Sequence, residues 1–382
     1  MKFAWITFSL STLFVLYIIV LYPALLSLLA RIRGRAIRRR QQTPSVSFVI
    51  ASHNGEAFLN QKLRSIQAIE YPPEKIEIIV VNDGSTDRSA EIVSSYGGNV
   101  FLINSEKVGK AGALNQGMQV AKGEILVFTD VRQPLAKDSL RFLVENFADP
   151  EVGVASAELQ ILDGASSEEL YTGAYWKYEK WIRTNLSSLD STFGASGSCY
   201  AVRRELAVPI PLHTLNDDMY LPLNAFFKGY RIVLDRRAYM YDFPTDLAAE
   251  FGRKVRTLAG NYQVLRYYPQ LLTTKNRLLF HYVSYKLGRL FLPFGLLICA
   301  VSSLAVAGPV AVCSAVVQAM AYSLAILDVR IPESSSLKRI SSPLRSFLAM
   351  MVAGACALSI WFVPPQRLWK ITRVSRQSAP AI

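Results

Sequence analysis

The sequence predicts an α/β domain with a mostly parallel sheet, flanked by transmembrane helices. Short apolar runs alternate with helix-like segments between residues 41 and 270, which is typical of a parallel, doubly wound sheet. Long uncharged runs precede and follow that region. The predicted organisation is an anchor with a basic flank (1–40), the α/β domain (41–270), an interfacial segment (271–289), two or three C-terminal spans (290–365) and a basic tail (366–382).

The composition agrees with a membrane protein. Apolar residues make up 51% of the 382 residues and charged residues 19%, a low charged share for a soluble protein. A disordered or fibrous chain is thereby excluded. The net charge of +13 would suit nucleic acid, acidic lipid or phosphorylated substrates. The four cysteines and three histidines lack the spacing of a zinc site, so no structural metal is predicted.

The first apolar run is long enough to cross a bilayer. Residues 3–30 carry no charged side chain, and about 20 helical residues span the hydrocarbon core. A cleaved signal peptide would have a shorter apolar region. Six arginines follow within residues 31–40, which favours a retained anchor with its basic flank and the next domain in the cytosol. We interpret these arginines as facing membrane lipid and exclude a nucleic-acid partner.

Two further uncharged runs lie in the C-terminal third of the chain. Residues 290–327 suit two crossings with Gly308-Pro309 as the turn, and residues 346–365 suit a third. Four crossings in total would place the tail outside, whereas the basic residues of the tail favour the cytosol. A re-entrant or interfacial C-terminal segment therefore stays open as an alternative.

The α/β region contains five predicted strands and four predicted helices. The strands are 46–51, 75–81, 100–103, 125–129 and 152–155, and the helices are 56–69, 87–95, 111–121 and 135–147. In a doubly wound sheet, ligands bind beyond the carboxyl ends of the strands. Polar segments at 52–56, 82–87 and 129–132 follow three of these strands, so they are the candidate ligand-binding segments. Dinucleotide and P-loop motifs are absent from the sequence.

These segments resemble family 2 glycosyltransferases, which are inverting enzymes with a Rossmann-like GT-A fold. The resemblance rests on five motifs in order: VSFVIASHN (46–54), VVNDGSTD (80–87), GKAGALN (109–115), GEILVFTD (123–130), and NDDMYL (216–221) followed by KGYRIV (228–233). It implies a hexosyltransferase of the bacterial inner membrane. Its donor would be a nucleotide-sugar, with UDP as the expected nucleotide, and its acceptor would be lipid-linked or a growing glycan.

The resemblance also implies roles for individual residues. Asp83 would contact uridine, Asp130 would bind ribose and a Mg²⁺ or Mn²⁺ ion as the first acid of a D-x-D motif, and Asp218 would be the catalytic base. The expected donor-binding set is Ala51, His53, Glu56, Asp83, Lys110, Asp130 and Arg256, and the expected acceptor-side set is Ser196, Gly197 and Asp217.

Three positions depart from the family pattern. Asp130-Val131-Arg132 lacks the second acid of D-x-D, so Arg132 could partly replace the cation. The carboxylate of the first motif stands one place late, at Glu56. Arg253 and Thr257 replace the Gln and Trp of the Q-x-x-R-W motif, which weakens the case for processive polymerisation.

Chemistry supports the same assignment, although alternatives remain. Direct displacement needs one base for the acceptor hydroxyl, and the departing diphosphate needs positive charge. Asp217 and Asp218 could instead cap a helix, and the basic residues around Arg256 could face the membrane. The alternatives for the whole chain are a processive polysaccharide synthase and a catalytically inactive sugar-nucleotide-binding scaffold. No oligomeric state is predicted.

Overall fold

The computed structural model describes residues 2–161, 167–242 and 247–368. Most of the predicted basic tail, 366–382, lies outside these described residues. Within them the chain divides into two compact units. We call them the α/β unit (33–161 and 186–242) and the helical unit (2–32, 167–185 and 247–368).

The α/β unit is built on a sheet to which the described residues contribute seven strands. These are β1 (Val46–Ser52), β2 (Ile76–Asp83), β3 (Val100–Ser105), β4 (Ile125–Thr129), β5 (Val152–Ile161), β6 (Cys199–Arg203) and β7 (Arg231–Asp242), in the order β3-β2-β1-β4-β6-β5-β7. Strands β1 to β4 run parallel, β6 runs antiparallel to both neighbours, and β5 runs parallel to β7. The predicted mostly parallel sheet is therefore confirmed.

The register brings the carboxyl ends of three parallel strands to one edge. Ser52 of β1 pairs with Asn82 of β2, and Val49 of β1 pairs with Phe128 of β4. Strand β6 runs the other way, so its first residue, Cys199, lies opposite the last residue of β4. The segments after β1, β2 and β4 and the loop before β6 consequently meet at this edge.

The helices of the two units follow the chain in order. They are α1 (Lys2–Arg33), α2 (Glu56–Gln67), α3 (Ser89–Ser94), α4 (Gly109–Val120), α5 (Ser139–Glu145), α6 (Ser167–Leu189), α7 (Asp217–Phe227), α8 (Leu247–Tyr267), α9 (Leu279–Leu304), α10 (Pro309–Leu327) and α11 (Lys338–Cys356). The five predicted strands correspond to β1–β5 and the four predicted helices to α2–α5. Strands β6 and β7 were not predicted.

Part of the basic run after α1 lies against the α/β unit. Arg35 pairs with Glu151 at 2.6 Å and with Asp190 at 3.2 Å, and Arg39 pairs with Asp235 at 3.3 Å. The prediction that the whole run faces lipid is therefore wrong for these two arginines, because acids from distant parts of the chain pair with them.

Within its described residues, the helical unit contains four helices long and apolar enough to cross a membrane. They cover Lys2–Arg33, Leu279–Leu304, Pro309–Arg330 and Lys338–Trp361. The predicted turn is present, since Gly308 has φ of 138° and Pro309 begins the next helix. The last helix begins before residue 346, and α9 begins inside the segment expected at the interface. Large apolar side chains such as Phe3 and Leu304 are exposed, which agrees with membrane association.

Small residues allow α1 and α9 to pack closely. A Cβ on Gly288 would lie 2.2 Å from the Ile18 side chain, and one on Gly295 would lie 2.6 Å from Phe14. Small residues at a helix contact are typical of membrane helix pairs. The Tyr17 hydroxyl also lies 2.7 Å from Ser284 Oγ, so a polar contact accompanies the packing.

Candidate active site

Three predicted site residues converge at the carboxyl edge of the sheet. Lys110 Nζ lies 3.0 Å from Asp130 Oδ1 and 3.1 Å from Asp217 Oδ1. Lys110 is on the first turn of α4, Asp130 directly follows β4, and Asp217 begins α7. The Asp217 side chain is 7% exposed and that of Asp130 is 39% exposed, so the cluster opens to solvent on the Asp130 side.

The carboxylates keep Lys110 charged. Burial lowers the pKa of Lys110, but the negative charges of Asp130, Asp217 and Asp218 outweigh burial and raise the pKa above its usual value. The ammonium is therefore a fixed positive charge at the sheet edge. Such a charge suits a ligand with phosphate groups.

Asp83 is the last residue of β2, and its side chain contacts the start of α4, the helix that carries Lys110. Its Oδ1 accepts hydrogen bonds from the backbone N–H groups of Val108 at 2.7 Å and Gly109 at 3.2 Å. His53 Nδ1 donates to the Asp83 carbonyl at 2.7 Å. Asp83 thus fixes the loop before α4, and two of the predicted donor-binding residues, His53 and Asp83, are in contact.

The first polar segment is held by the second. Asn54 has a left-handed φ of 52°, and its Oδ1 accepts from the Thr86 N–H at 2.9 Å. Glu56 pairs with Arg88 at 2.7 Å, and hydrogen bonds from Arg88 lower the pKa of Glu56. Ala51 is the penultimate residue of β1. The structure therefore engages Glu56 with a side chain of the same unit.

The predicted base lies beside the predicted acceptor loop. The Ala195 N–H donates to the Asp218 carbonyl at 2.7 Å, and a Cβ on Gly197 would lie 3.1 Å from Asp218 Oδ2. The Ser196 N–H donates to Ser156 Oγ at 2.8 Å. A Cβ at residue 197 would require the Asp218 carboxylate to shift by a few tenths of an ångström. The structure thus brings Gly197 and Asp218 together, and their roles toward an acceptor stay a prediction.

A capping role does not account for Asp217. The N-cap of α7 is Asn216, and Asp217 is inside the helix with its carboxylate against Lys110. An acid in the first turn also interacts favourably with the helix dipole. The pairing with Lys110, however, is a contact between two elements and serves the site.

Arg132 is paired with an acid of the α/β unit, although the sequence analysis expected it partly to replace a cation. Its Nη2 lies 2.5 Å from Asp242 Oδ2, and Gln133 Nε2 donates to the same oxygen at 2.9 Å. Asp242 is at the end of β7, more than a hundred residues along the chain. The expectation that Arg132 partly replaces a cation is therefore not supported by its contacts.

Lys62 was missed by the sequence analysis. It is fully buried on α2, and its Nζ donates to Thr129 Oγ1 and to the Gln133 carbonyl, both at 2.6 Å. The available signal was its helical spacing with the apolar residues Leu59, Leu63 and Ile66, all of them buried. A lysine on the apolar stripe of a helix indicates a buried partner.

Arg256 belongs to the helical unit, on α8. Two neighbouring cations on this helix are paired locally: Arg253 contacts Glu250, and Lys254 lies 3.5 Å from the same carboxylate. The role of Arg256 toward a donor stays a prediction.

The acids at the sheet edge fit a hard divalent cation. Carboxylates of Asp130 and Asp217 converge on one positive charge, which is Lys110. Mg²⁺ is commonly held by one or two carboxylates together with substrate phosphates. No group of three or more His, Cys, Asp or Glu that could hold a metal ion occurs among the described residues, so substrate oxygens would have to complete the coordination.

Comparisons with known proteins give the class. A family model described as Glycosyl transferase family 2 matches residues 47–208, and one described as Glycosyl transferase family group 2 matches residues 133–362. The chain belongs to the family 2 glycosyltransferases, and it is therefore an enzyme of the glycosyltransferase class.

Two curated relatives and one solved structure illustrate the similarity. A poly-beta-1,6-N-acetyl-D-glucosamine synthase of Staphylococcus aureus is 26% identical over 229 residues, which are 58% of this chain and 55% of the relative. A probable glycosyltransferase YdaM of Bacillus subtilis is 25% identical over 264 residues, 62% of this chain and 60% of the relative. The chain thus spans little more than half the length of these relatives.

The solved structure is a mannosyltransferase, PcManGT from Pyrobaculum calidifontis, in complex with GDP-Man and Mn²⁺. It superposes with a TM-score of 0.69 and 19% sequence identity, and the match covers 91% of this chain and 99% of that one. The similarity establishes the GT-A fold that the sequence motifs predicted.

Proposed function

We propose that this chain is a membrane-bound inverting glycosyltransferase of the bacterial inner membrane. It transfers a sugar from a nucleotide-sugar, a UDP-sugar, to a lipid-linked or growing glycan acceptor on the cytosolic side. The observation that carries the proposal is the convergence of Lys110, Asp130 and Asp217 beside Asp218 at the carboxyl edge of the sheet.

The donor side has the charges that a nucleoside diphosphate needs. Asp83 and the first turn of α4 would bind the nucleoside, with Ala51 and His53 beside them. Lys110 would move its ammonium from the two acids to the diphosphate. A Mg²⁺ or Mn²⁺ ion held by Asp130 would add positive charge for the leaving diphosphate.

Asp218 is proposed as the general base. It would take the proton of the acceptor hydroxyl while the acceptor oxygen bonds to the anomeric carbon. The bond from that carbon to the diphosphate oxygen breaks, and the nucleoside diphosphate leaves. A Cβ on Gly197 would lie 3.1 Å from the Asp218 carboxylate, which supports the proposal that Gly197, with the neighbouring Ser196, leaves room for the acceptor hydroxyl.

A membrane acceptor agrees with the helical unit. The described part of the chain contains four apolar helices long enough to cross a bilayer, which supports an acceptor delivered by the bilayer. A processive polysaccharide synthase is the second candidate, supported by the similarity to a poly-beta-1,6-N-acetyl-D-glucosamine synthase.

Nucleotide release by the full chain in detergent tests the proposal. UDP- and GDP-sugars would be screened with a lipid extract as acceptor source. We expect UDP release from one sugar donor, dependent on Mg²⁺ or Mn²⁺ and lost in excess chelator. Product length then separates single transfer from polymerisation. No release from any donor, or full release in chelator, would contradict the donor or the cation assignment, respectively.

A further inference from the structure

We propose that Lys62 is a positioning residue that holds the turn carrying Asp130 in the shape that binds the donor. The inference rests on the proposed function, in which Asp130 binds the ribose and the cation of the donor. It assigns a role to a residue that lies outside the motifs of the family resemblance.

The burial of Lys62 needs an explanation. The side chain lies at 0% exposure, on the face of α2 that packs into the sheet. Among the residues that the structure describes, no carboxylate forms an ion pair with it, and its hydrogen-bond acceptors are a hydroxyl and a carbonyl. A buried ammonium without a paired acid is costly. The two short hydrogen bonds of Lys62 must therefore compensate for the cost of burying its ammonium.

Those hydrogen bonds span the turn. Thr129 precedes Asp130, and Gln133 follows Arg132, so one ammonium joins the two ends of the Asp130–Arg132 segment. Thr129 Oγ1 donates in turn to the Ser198 carbonyl at 2.7 Å. The Asp130 N–H donates to the same carbonyl at 3.2 Å. Lys62 thereby also connects the turn to the loop before β6.

A second contact fixes the far side of the turn. Asp242 binds both Arg132 and Gln133, whereas Asp130 contacts Lys110. A turn with one acid in place of two depends more on the position of that acid. Lys62, on α2, and Asp242, at the end of β7, together set the position of Asp130.

Donor-nucleotide binding tests the role. The full chain in detergent would be titrated calorimetrically with UDP, and with GDP as an alternative, in the presence of Mn²⁺. Lys62→Met removes the ammonium at similar length, and Lys62→Gln keeps a hydrogen-bond donor. We expect Kd to rise about tenfold or more for Lys62→Met, the size expected for loss of hydrogen bonds to a charged group, and less for Lys62→Gln.

Arg231→Met is the matched control. Arg231 is also buried, and it also donates to backbone carbonyls, those of Asp190, Ser187 and Arg35. It starts β7, whereas Asp242 ends that strand. We expect both Met variants to lower the unfolding temperature but Lys62→Met alone to weaken nucleotide binding. In turnover assays, donor KM should rise about tenfold in Lys62→Met, with kcat changed by less than about threefold.

Each outcome decides between defined alternatives. Equal nucleotide affinity per folded molecule in wild type and Lys62→Met overturns the positioning role and leaves the proposed function intact. Absence of UDP and GDP binding by the wild-type chain overturns the proposed function. If Lys62→Met does not fold, Thr129→Val removes one acceptor and leaves Lys62 in place. An unchanged Kd in Thr129→Val would then overturn the inference, and a raised Kd would support it.

Discussion

Adjacent residues can have different tasks, and Asp217 and Asp218 are the case to test. Asp217 is buried against Lys110 at 3.1 Å, whereas Asp218 lies beside Gly197. We expect Asp218→Asn to lower kcat by about 10²–10⁴-fold, the usual contribution of a general base, with donor binding unchanged. Asp217→Asn should lower kcat less, because the Asp217 carboxylate is paired with Lys110 and is not proposed to take the acceptor proton. Steady-state kinetics and nucleotide titrations separate the two effects.

The same pair of variants contains its own control. A capping role would cost about 0.5–2 kcal/mol of stability and would reduce the folded fraction, not turnover per folded molecule. Retained transfer in Asp218→Asn with loss in Asp217→Asn would mean that the base is the other acid. Retained transfer in both would place the base elsewhere.

The burial of Lys62 predicts that the stability of the folded chain depends on pH. Burial lowers the pKa of Lys62 to about 8, while an exposed lysine titrates near about 10.4. Between these values the unfolded chain binds a proton that the folded chain has released, so stability rises with pH in this window. Below it both states are protonated, and the cost of burial is at its maximum.

The measurement compares wild type with Lys62→Met across that window. We expect the unfolding temperature of wild type, relative to Lys62→Met, to rise from about pH 8 to about pH 10, since the proton term is at most about 1.4 kcal/mol per pH unit. A constant difference would show that Lys62 titrates as an exposed lysine does.

Some secondary-structure elements can be predicted from sequence more reliably than others. Strands β1 and β4 are almost entirely buried, and strands covered on both faces appear as continuous apolar runs, so they were predicted within a residue or two. Strand β7 has Asp235, Arg236 and Arg237 in its middle. Their partners include Asn146 and Glu145, which only the tertiary structure brings near.

Contacts between distant parts of the chain also limit how much of the site can be predicted from sequence. The family resemblance assigned Lys110 and Asp130 to the donor and Asp217 to the acceptor side, but it did not predict that these three side chains contact one another. The contacts that orient them were not predictable. Arg132 pairs with Asp242 across the α/β unit, and Lys62 reaches the Asp130 turn from an apolar helix face. Neither partner is visible in local sequence.

The close approach of Gly197, in the loop before β6, to Asp218 allows us to predict the effect of adding a single methyl group. A Cβ at residue 197 would lie 3.1 Å from Asp218 Oδ2, tighter than an ordinary van der Waals contact. Gly197→Ala should therefore displace the Asp218 carboxylate and lower kcat by about tenfold or more, since small misplacements of catalytic groups are costly. Donor binding should stay within about twofold, because Lys110 and Asp130 do not contact this methyl group.

Gly252→Ala is the matched control for that substitution. Gly252 is on α8, and an added Cβ meets no atom within 4 Å. Alanine also favours a helix by about 1 kcal/mol over glycine, so kcat should be unchanged and stability equal or higher. Equal kcat in Gly197→Ala and wild type would show that the Asp218 carboxylate tolerates the crowding.

The distribution of charge over the whole chain suggests which side of the membrane each loop occupies. The arginine run follows α1, and Arg330, Lys338 and Arg339 flank the loop between α10 and α11. Residues 305–308, between α9 and α10, carry no charge. Because basic loops remain in the cytosol, both basic regions should be cytosolic and residues 305–308 external. Four crossings satisfy this pattern for these three segments, although they place the basic residues after 366 on the outside.

Single cysteines in a cysteine-free chain test this arrangement. The native Cys199, Cys299, Cys313 and Cys356 would first be replaced, since the last two are exposed. Reporter cysteines would stand at three exposed positions: Ser95 in the α/β unit, Ala307 before α10 and Ser334 before α11. A membrane-impermeant maleimide should label only Ala307→Cys in intact cells, and all three variants after permeabilisation.

The three reporters fail in distinguishable ways. Labelling of Ser95→Cys in intact cells would place the α/β unit outside, away from cytosolic nucleotide-sugars, and the proposed donor would be wrong. Labelling of Ser334→Cys alone would contradict the number of crossings after α9 but not the donor. Protection of Ala307→Cys in intact cells, with normal labelling after permeabilisation, would mean that α9 and α10 enter and leave on the cytosolic side. In that case the re-entrant alternative would replace the four-crossing arrangement.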